Sequence, residues 1–350
     1  MRFLTYHAKL RLKKIALVFL VILLVLFTAW ICWVVWLQRF VVYTRDGVVF
    51  DFNRSTVHLG VQTPPEPTAT AVTVPVEIIF DDNPGDAVTG GLKPLFGYSV
   101  DTAVLLEDFN TLRASLEQLE PGTAVLLDVK SKFGNFYYST SLAHAPRSDS
   151  IDAAAMDELI AWLCQSELYV IARVPAFRDS AFAQANQSAG LALASGALWT
   201  DADQCYWLDP ANDTVLTNLS QICRELRDLG FDEVVFSDFR FPDSGSIVYN
   251  ATASKEQIIQ QAAQKLVTAF SGSDFTVSFC TENPAFSLPT GQSRLYLTGV
   301  AAQQAASVAE KAAVTDPKAQ IVFLTESRDT RFDEYSVLRP IVIPQREAGQ

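Results

Sequence analysis

The stretch from Trp207 to Pro242, WLDPANDTVLTNLSQICRELRDLGFDEVVFSDFRFP, constrains the fold more than any other part of the chain. Asn212 or Asp213 supplies a helix cap and Gly230 the stop. A β-branched run containing Val234 and Val235 follows, with an acid, Asp238, at its far end. Helix, tight turn, apolar strand and then a carboxylate where the strand emerges make one unit of an α/β barrel, whose reactive groups gather at the strand C-termini.

The rest of the main domain repeats that alternation. Apolar runs at 96–100, 124–129, 169–174, 275–280, 294–298, 321–324 and 338–343 read as further strands. Residues 105–119, 151–165 and 301–314 read as helices, and Ser254 with Gln257 forms a capping box for another that reaches about Phe270. The expected fold class is therefore α/β, a (β/α)8-like TIM barrel. The connections from strand five to six and from seven to eight are too short for full helices, so the barrel is expected to be incomplete or open there. The long excursion between Val174 and Trp207 is a candidate wall or lid.

WLDPAN, GFDEVVF and FRFP at these spacings, with LLDVKS (126–131) and IARVPAFRD (171–179) upstream, resemble the glycoside-hydrolase-like barrel domain of bacterial surface proteins. The resemblance covers roughly residues 92–345 and implies a TIM barrel that handles a glycan. The family usually places an acid directly after the strand phenylalanine, where this chain has Ser237, and here the acid comes one residue later. Side chains alternate along a strand, so this shift turns Asp238 to the opposite face unless a bulge restores it.

Ahead of the barrel, residues 15–37 are uncharged and strongly apolar, and at about 1.5 Å per residue 23 positions cross a hydrocarbon core of about 30 Å. Trp30, Trp33 and Trp36 crowd the far end, where indoles favour the interface. Arg2, Lys9, Arg11, Lys13 and Lys14 precede the run, which predicts a cytoplasmic tail (1–14), a single transmembrane anchor (15–37) and an extracellular C-terminal part. A cleaved signal peptide is the rival reading, but the run is too long and is followed by bulky residues. A short β-hairpin segment (38–60) comes next, built around Asp46-Gly47. A Pro/Thr-rich linker and approach (61–91) then holds the barrel (92–346) off the membrane.

The formal charge of -12 argues against a nucleic-acid partner, which requires clustered Lys and Arg. Only His144 lies in the main domain, so a Ser-His-Asp triad could draw on that residue alone and a multi-histidine zinc site is excluded. No phosphate-binding glycine loop follows a strand, and neither cofactor nor metal is expected. Cys164, Cys205, Cys223 and Cys280 show no CxxC spacing, leaving one disulfide or four buried thiols open.

Asp101, Asp128, Asp238, Glu282 and Glu326 stand at or just after five of the strands. Parallel strands would bring these acids to one face, and glycoside hydrolysis requires two carboxyl groups, one protonated and one ionised. By analogy with barrel glycosidases, Asp238 with Glu282 or Glu326 is the expected catalytic pair, and Asp128 is a further catalytic candidate; acids after strands also serve as ordinary loop residues and helix caps. Lys130, Arg178, Arg240, Tyr137, Trp207 and Asp101 are the candidate substrate-binding residues. The cations could equally form internal ion pairs, and the aromatics could pack under loops. The expectation is a membrane-anchored extracellular barrel acting on a polysaccharide or cell-wall glycan. The alternative is a non-catalytic carbohydrate-binding or scaffold barrel at the cell surface.

Overall fold

The computed structural model describes residues 41–44, 47–50 and 91–343, apart from 144 and 313. The chain divides into two units, Met1–Pro75 and Val76–Gln350. In the first, strands β1 (Val41–Thr44) and β2 (Gly47–Phe50) pair antiparallel, with Val41 opposite Phe50 and Thr44 opposite Gly47, as the hairpin reading expects. The 15–37 run lies outside the described residues, as do most of the linker and His144. Among the described residues no helix is long and apolar enough to cross a membrane.

The second unit is a closed barrel of eight parallel strands: β3 (Phe96–Val100), β4 (Ala124–Asp128), β5 (Tyr169–Pro175), β6 (Glu233–Ser237), β7 (Thr276–Thr281), β8 (Leu295–Thr298), β9 (Ile321–Leu324) and β10 (Ser336–Pro340). The barrel is complete, which corrects the expectation of an open or incomplete one. The two short connections carry no α-helix, with only the 3-10 turn Thr330–Phe332 between β9 and β10. Closure does not depend on them, because β10 pairs with β9 on one side and β3 on the other.

Helix α1 (Thr102–Glu107) follows β3, and α2 (Phe109–Leu116) restarts at Asp108, whose side chain accepts the Thr111 N–H. The single helix read over 105–119 is therefore two. Helices α3 (Ala153–Gln165) and α4 (Ser180–Ala185) flank β5. The organising helix, α5 (Asp213–Leu229), is capped by the Asn212 side chain and buries Val215, Leu216, Leu219, Ile222, Cys223 and Leu226 along one stripe. It ends at Gly230, whose φ of 101° is the left-handed conformation that suits glycine. Helix α6 (Lys255–Thr268) carries the capping box read at Ser254 and Gln257. Helices α7 (Ala305–Lys311) and α8 (Pro317–Gln320) precede β9.

Two layers of apolar contact result. The larger lies between strands and helices, and the smaller fills the lumen with Ala124, Leu126, Ile171, Val235, Tyr296, Val322 and Leu338. Because side chains alternate along each strand, this lumen layer fixes what lies above and below it. Two residues back from Ile171, Val235 and Tyr296 stand Tyr169, Glu233 and Arg294 at the N-terminal end of the barrel. There the fully buried Glu233 carboxylate pairs with the Arg294 guanidinium and accepts hydrogen bonds from Tyr169 (3.0 Å) and Tyr296 (3.0 Å). Arg294 also donates to the carbonyls of Ala319 (3.0 Å) and Lys93 (3.1 Å), so this buried charge is fully partnered.

Candidate functional site

Two residues on from Leu126, Ile171, Val235 and Tyr296 stand Asp128, Arg173, Ser237 and Thr298, and all four line a cavity of about 610 Å³ at the C-terminal mouth. Thr102, Lys130, Phe133, Asn135, Tyr137 and Cys280 are among the other lining residues. Period-two extension of the strands was enough to find Ser237, Cys280 and Thr298, although none was singled out as a binding residue. Thr102 and the 131–135 turn reach the cavity from loops, where no period applies.

Asp128 is the carboxylate on the lining. Its Oδ1 accepts from Arg173 Nε at 2.5 Å, and its Oδ2 accepts from the Thr102 N–H (2.9 Å) and hydroxyl (3.0 Å). Burial works against the Arg173 charge, but the Asp128 hydrogen bond and charge outweigh it and hold the guanidinium above its ordinary value. The Tyr137 hydroxyl shares a 3.1 Å hydrogen bond with Thr102, and burial raises this phenol above its usual range. Burial also pushes the Cys280 thiol up to about 11, with the charges of Arg173, Asp238 and Asp128 all acting on it. The four cysteines at 164, 205, 223 and 280 are all thiols.

Ser237, at the strand's last inward position, lines the cavity, and Asp238 follows in a left-handed turn with φ 51°. This is a costly conformation for a non-glycine residue, though aspartate is among those that tolerate it. The charge of Asp238 acts on Cys280 and on Arg178. Burial raises the Asp238 carboxyl above the usual carboxylate range; Arg178, Arg240 and Lys132 pull it down and Asp201 pushes it further up.

The remaining candidates separate. Lys130 lines the cavity, but its ammonium is buried against Asp179 at 2.7 Å, with side chains 1% and 5% exposed. Arg178 pairs with Asp201 and Asp203, both at 2.5 Å, and its guanidinium lies 5.8 Å from the Trp207 ring centroid. Trp207 itself is 2% exposed and donates its indole N–H to Asp201, so it is a packed residue rather than an open sugar platform. Arg240 is exposed, 5.1 Å from the Trp207 ring, and does not line the cavity. Asp101 caps α1 by accepting the Val104 N–H at 3.0 Å. Glu282 is exposed beyond β7 and is not on the lining. Glu326 lies in a second groove of about 720 Å³ with Tyr98, Arg328, Asp333 and Arg339. The excursion after β5 is folded rather than loose, tied back by bridges Gly190 to Leu208 and Thr200 to Tyr206. Among the described residues no cluster of three or more His, Cys, Asp or Glu could hold a metal.

A closed parallel barrel with a cavity at its C-terminal mouth belongs to the (β/α)8 architecture that many enzymes share. Residues 113–273, from α2 through α6, match the family described as "Putative glycosyl hydrolase domain", in agreement with the motif resemblance. No curated protein sequence matches the chain. Among solved structures, a hypothetical protein from Ruminiclostridium thermocellum is similar at 20% identity and a TM-score of 0.45, over 52% of this chain and 96% of its own. The alpha-galactosidase from Lactobacillus brevis is similar at 9% identity and a TM-score of 0.49, over 74% of this chain and 38% of its own. That from Thermus thermophilus, in complex with p-nitrophenyl alpha-D-galactopyranoside, gives 17% and 0.40, over 55% and 39%. The chain thus spans about two-fifths of the length of these two galactosidases.

Proposed function

We propose that the chain is a membrane-anchored glycoside hydrolase whose barrel lies outside the cell and acts on a polysaccharide or cell-wall glycan. The carrying observation is two acids in unlike surroundings that both act on Cys280 of the cavity lining: Asp128, itself on the lining and paired with Arg173, and Asp238, half-buried with its carboxyl raised by burial. In this reading Asp238 keeps a proton to give to the leaving glycosidic oxygen, and Asp128 is the ionised partner, oriented by Arg173 and Thr102. The anchor and its orientation rest on the apolar 15–37 run and the basic residues before it.

A second reading is a carbohydrate-binding barrel without catalysis. Ser237, a residue with no carboxylate, lines the cavity where the family pattern has its acid. Hydrolysis of a polysaccharide panel by the purified full chain in detergent separates the two. Release of reducing ends that disappears in Asp238→Asn supports the enzyme; binding without release, unchanged by that substitution, supports the binding module.

A further inference from the structure

The proposed glycan site also indicates the substrate class, an inference that rests on the reading above. Every cation on the cavity lining is matched by an acidic side chain of the protein itself. Lys130 is paired with Asp179 (2.7 Å), Lys132 with Asp203 (2.7 Å) and Arg173 with Asp128 (2.5 Å). A uronate or sulfate entering the cavity therefore meets no cation whose charge is uncompensated. The other polar groups of the lining are uncharged: the Thr298 hydroxyl, the Asn135 amide, and the hydroxyls of Ser131 and Ser148, which also take part in local hydrogen bonds. Such groups suit sugar hydroxyls.

The lining also holds one open aromatic surface. Phe133 is 42% exposed, whereas Tyr137, the other aromatic on the lining, is buried and its hydroxyl is engaged by Thr102. The turn that carries Phe133 is rigid. The Ser131 hydroxyl accepts the N–H groups of Phe133 (3.3 Å) and Asn135 (3.1 Å), and the Phe133 carbonyl accepts the Ala181 N–H (3.0 Å). Gly134, at φ 93°, sits so close to Asp179 and Ala181 that a Cβ would meet an Asp179 oxygen at 2.2 Å. The Lys132 ammonium lies over the ring at 5.6 Å from its centroid, and a ring has a second face. A fixed, half-open phenyl ring costs little side-chain entropy on binding and matches the C–H face of a pyranose.

We propose that the cavity takes a neutral, pyranose-containing glycan, with one sugar ring stacked on Phe133. The test is calorimetric titration of the full chain in detergent, carrying Asp238→Asn to prevent turnover. The neutral probes are cellohexaose, maltohexaose and chitohexaose, and the acidic probes are hexagalacturonate and a hyaluronan hexasaccharide. At least one neutral probe is expected to bind more tightly than both acidic ones. Phe133→Ala should then weaken it by about ten-fold, and Phe133→Trp should restore it. Tighter binding of an acidic probe, or Phe133→Ala binding as tightly as its parent, overturns the proposal. If the unsubstituted chain still hydrolyses a glycan in either of those cases, the enzymatic reading survives and only the substrate class falls; if no probe binds and no glycan is cleaved, both fall.

Discussion

Asp128 and Arg173 are partners twice over: they stand opposite one another in the β4–β5 register, and their side chains meet in the lumen at 2.5 Å. Removing the acid leaves a largely buried guanidinium without its carboxylate. Asp128→Ala is therefore expected to cost about 2 kcal/mol in urea unfolding, and Asp128→Asn less, since the amide oxygen still accepts from Arg173.

Asp238 gives a pH signature. Its folded-state carboxyl is raised above the ordinary value by burial, so the folded chain holds this proton more tightly than the unfolded chain. Below the ordinary carboxylate range both states are protonated and the group contributes nothing to stability. As pH rises through that range and past the raised value, the unfolded state ionises first and the folded state is penalised. Asp238→Asn, which also tolerates the left-handed turn, should match the parent in Tm at acid pH and exceed it at neutral pH. If Asp238 is the proton donor, kcat/KM of the parent falls over the same rise in pH.

Glu282 and Glu326 provide the contrast. Both are exposed, whereas Asp128 stands on the cavity lining and Asp238 is half-buried. Glu282→Gln and Glu326→Gln are expected to leave the hydrolytic rate within about two-fold of the parent. Asp128→Asn and Asp238→Asn should each lower it by about a hundred-fold or more. A rate assay on the four variants decides the pairing.

At the opposite end of the lumen, Arg294→Met would leave Glu233 buried with only its two tyrosine donors. The expected loss is about 3–5 kcal/mol, much of it recovered in the double variant Glu233→Gln with Arg294→Met. Chemical denaturation of the single and double variants measures that coupling.

The strands were legible because a strand buried on both sides is a short apolar run between turns, and 321–324 falls where the pattern put it; 96–100 does too, although Phe96 and Tyr98 are exposed. Closure was not, since it is set by hydrogen bonding of the last strand to the first and leaves no local pattern at Ser336 or Phe96. The ion pairs that occupy Lys130 and Arg173 were equally hidden, because each partner lies about 45 residues away along the chain or across a loop. The burial of Trp207 under Arg178 and Arg240 depends on the folded 180–207 excursion, whose composition reads only as a loop. The left-handed backbone at Asp238 leaves no local pattern beyond the one-residue shift of the acid.

The charged layer beneath the lumen has a consequence for how the cylinder is keyed. Glu233 and Arg294 come from strands or strand entries two places apart, and Arg294 also grips carbonyls before β3 and β9. Sliding β6 past its neighbours by a single residue would face Glu233 toward the helices and leave the Arg294 guanidinium without its carboxylate. Misaligned cylinders are thereby penalised by electrostatics as well as by side-chain packing.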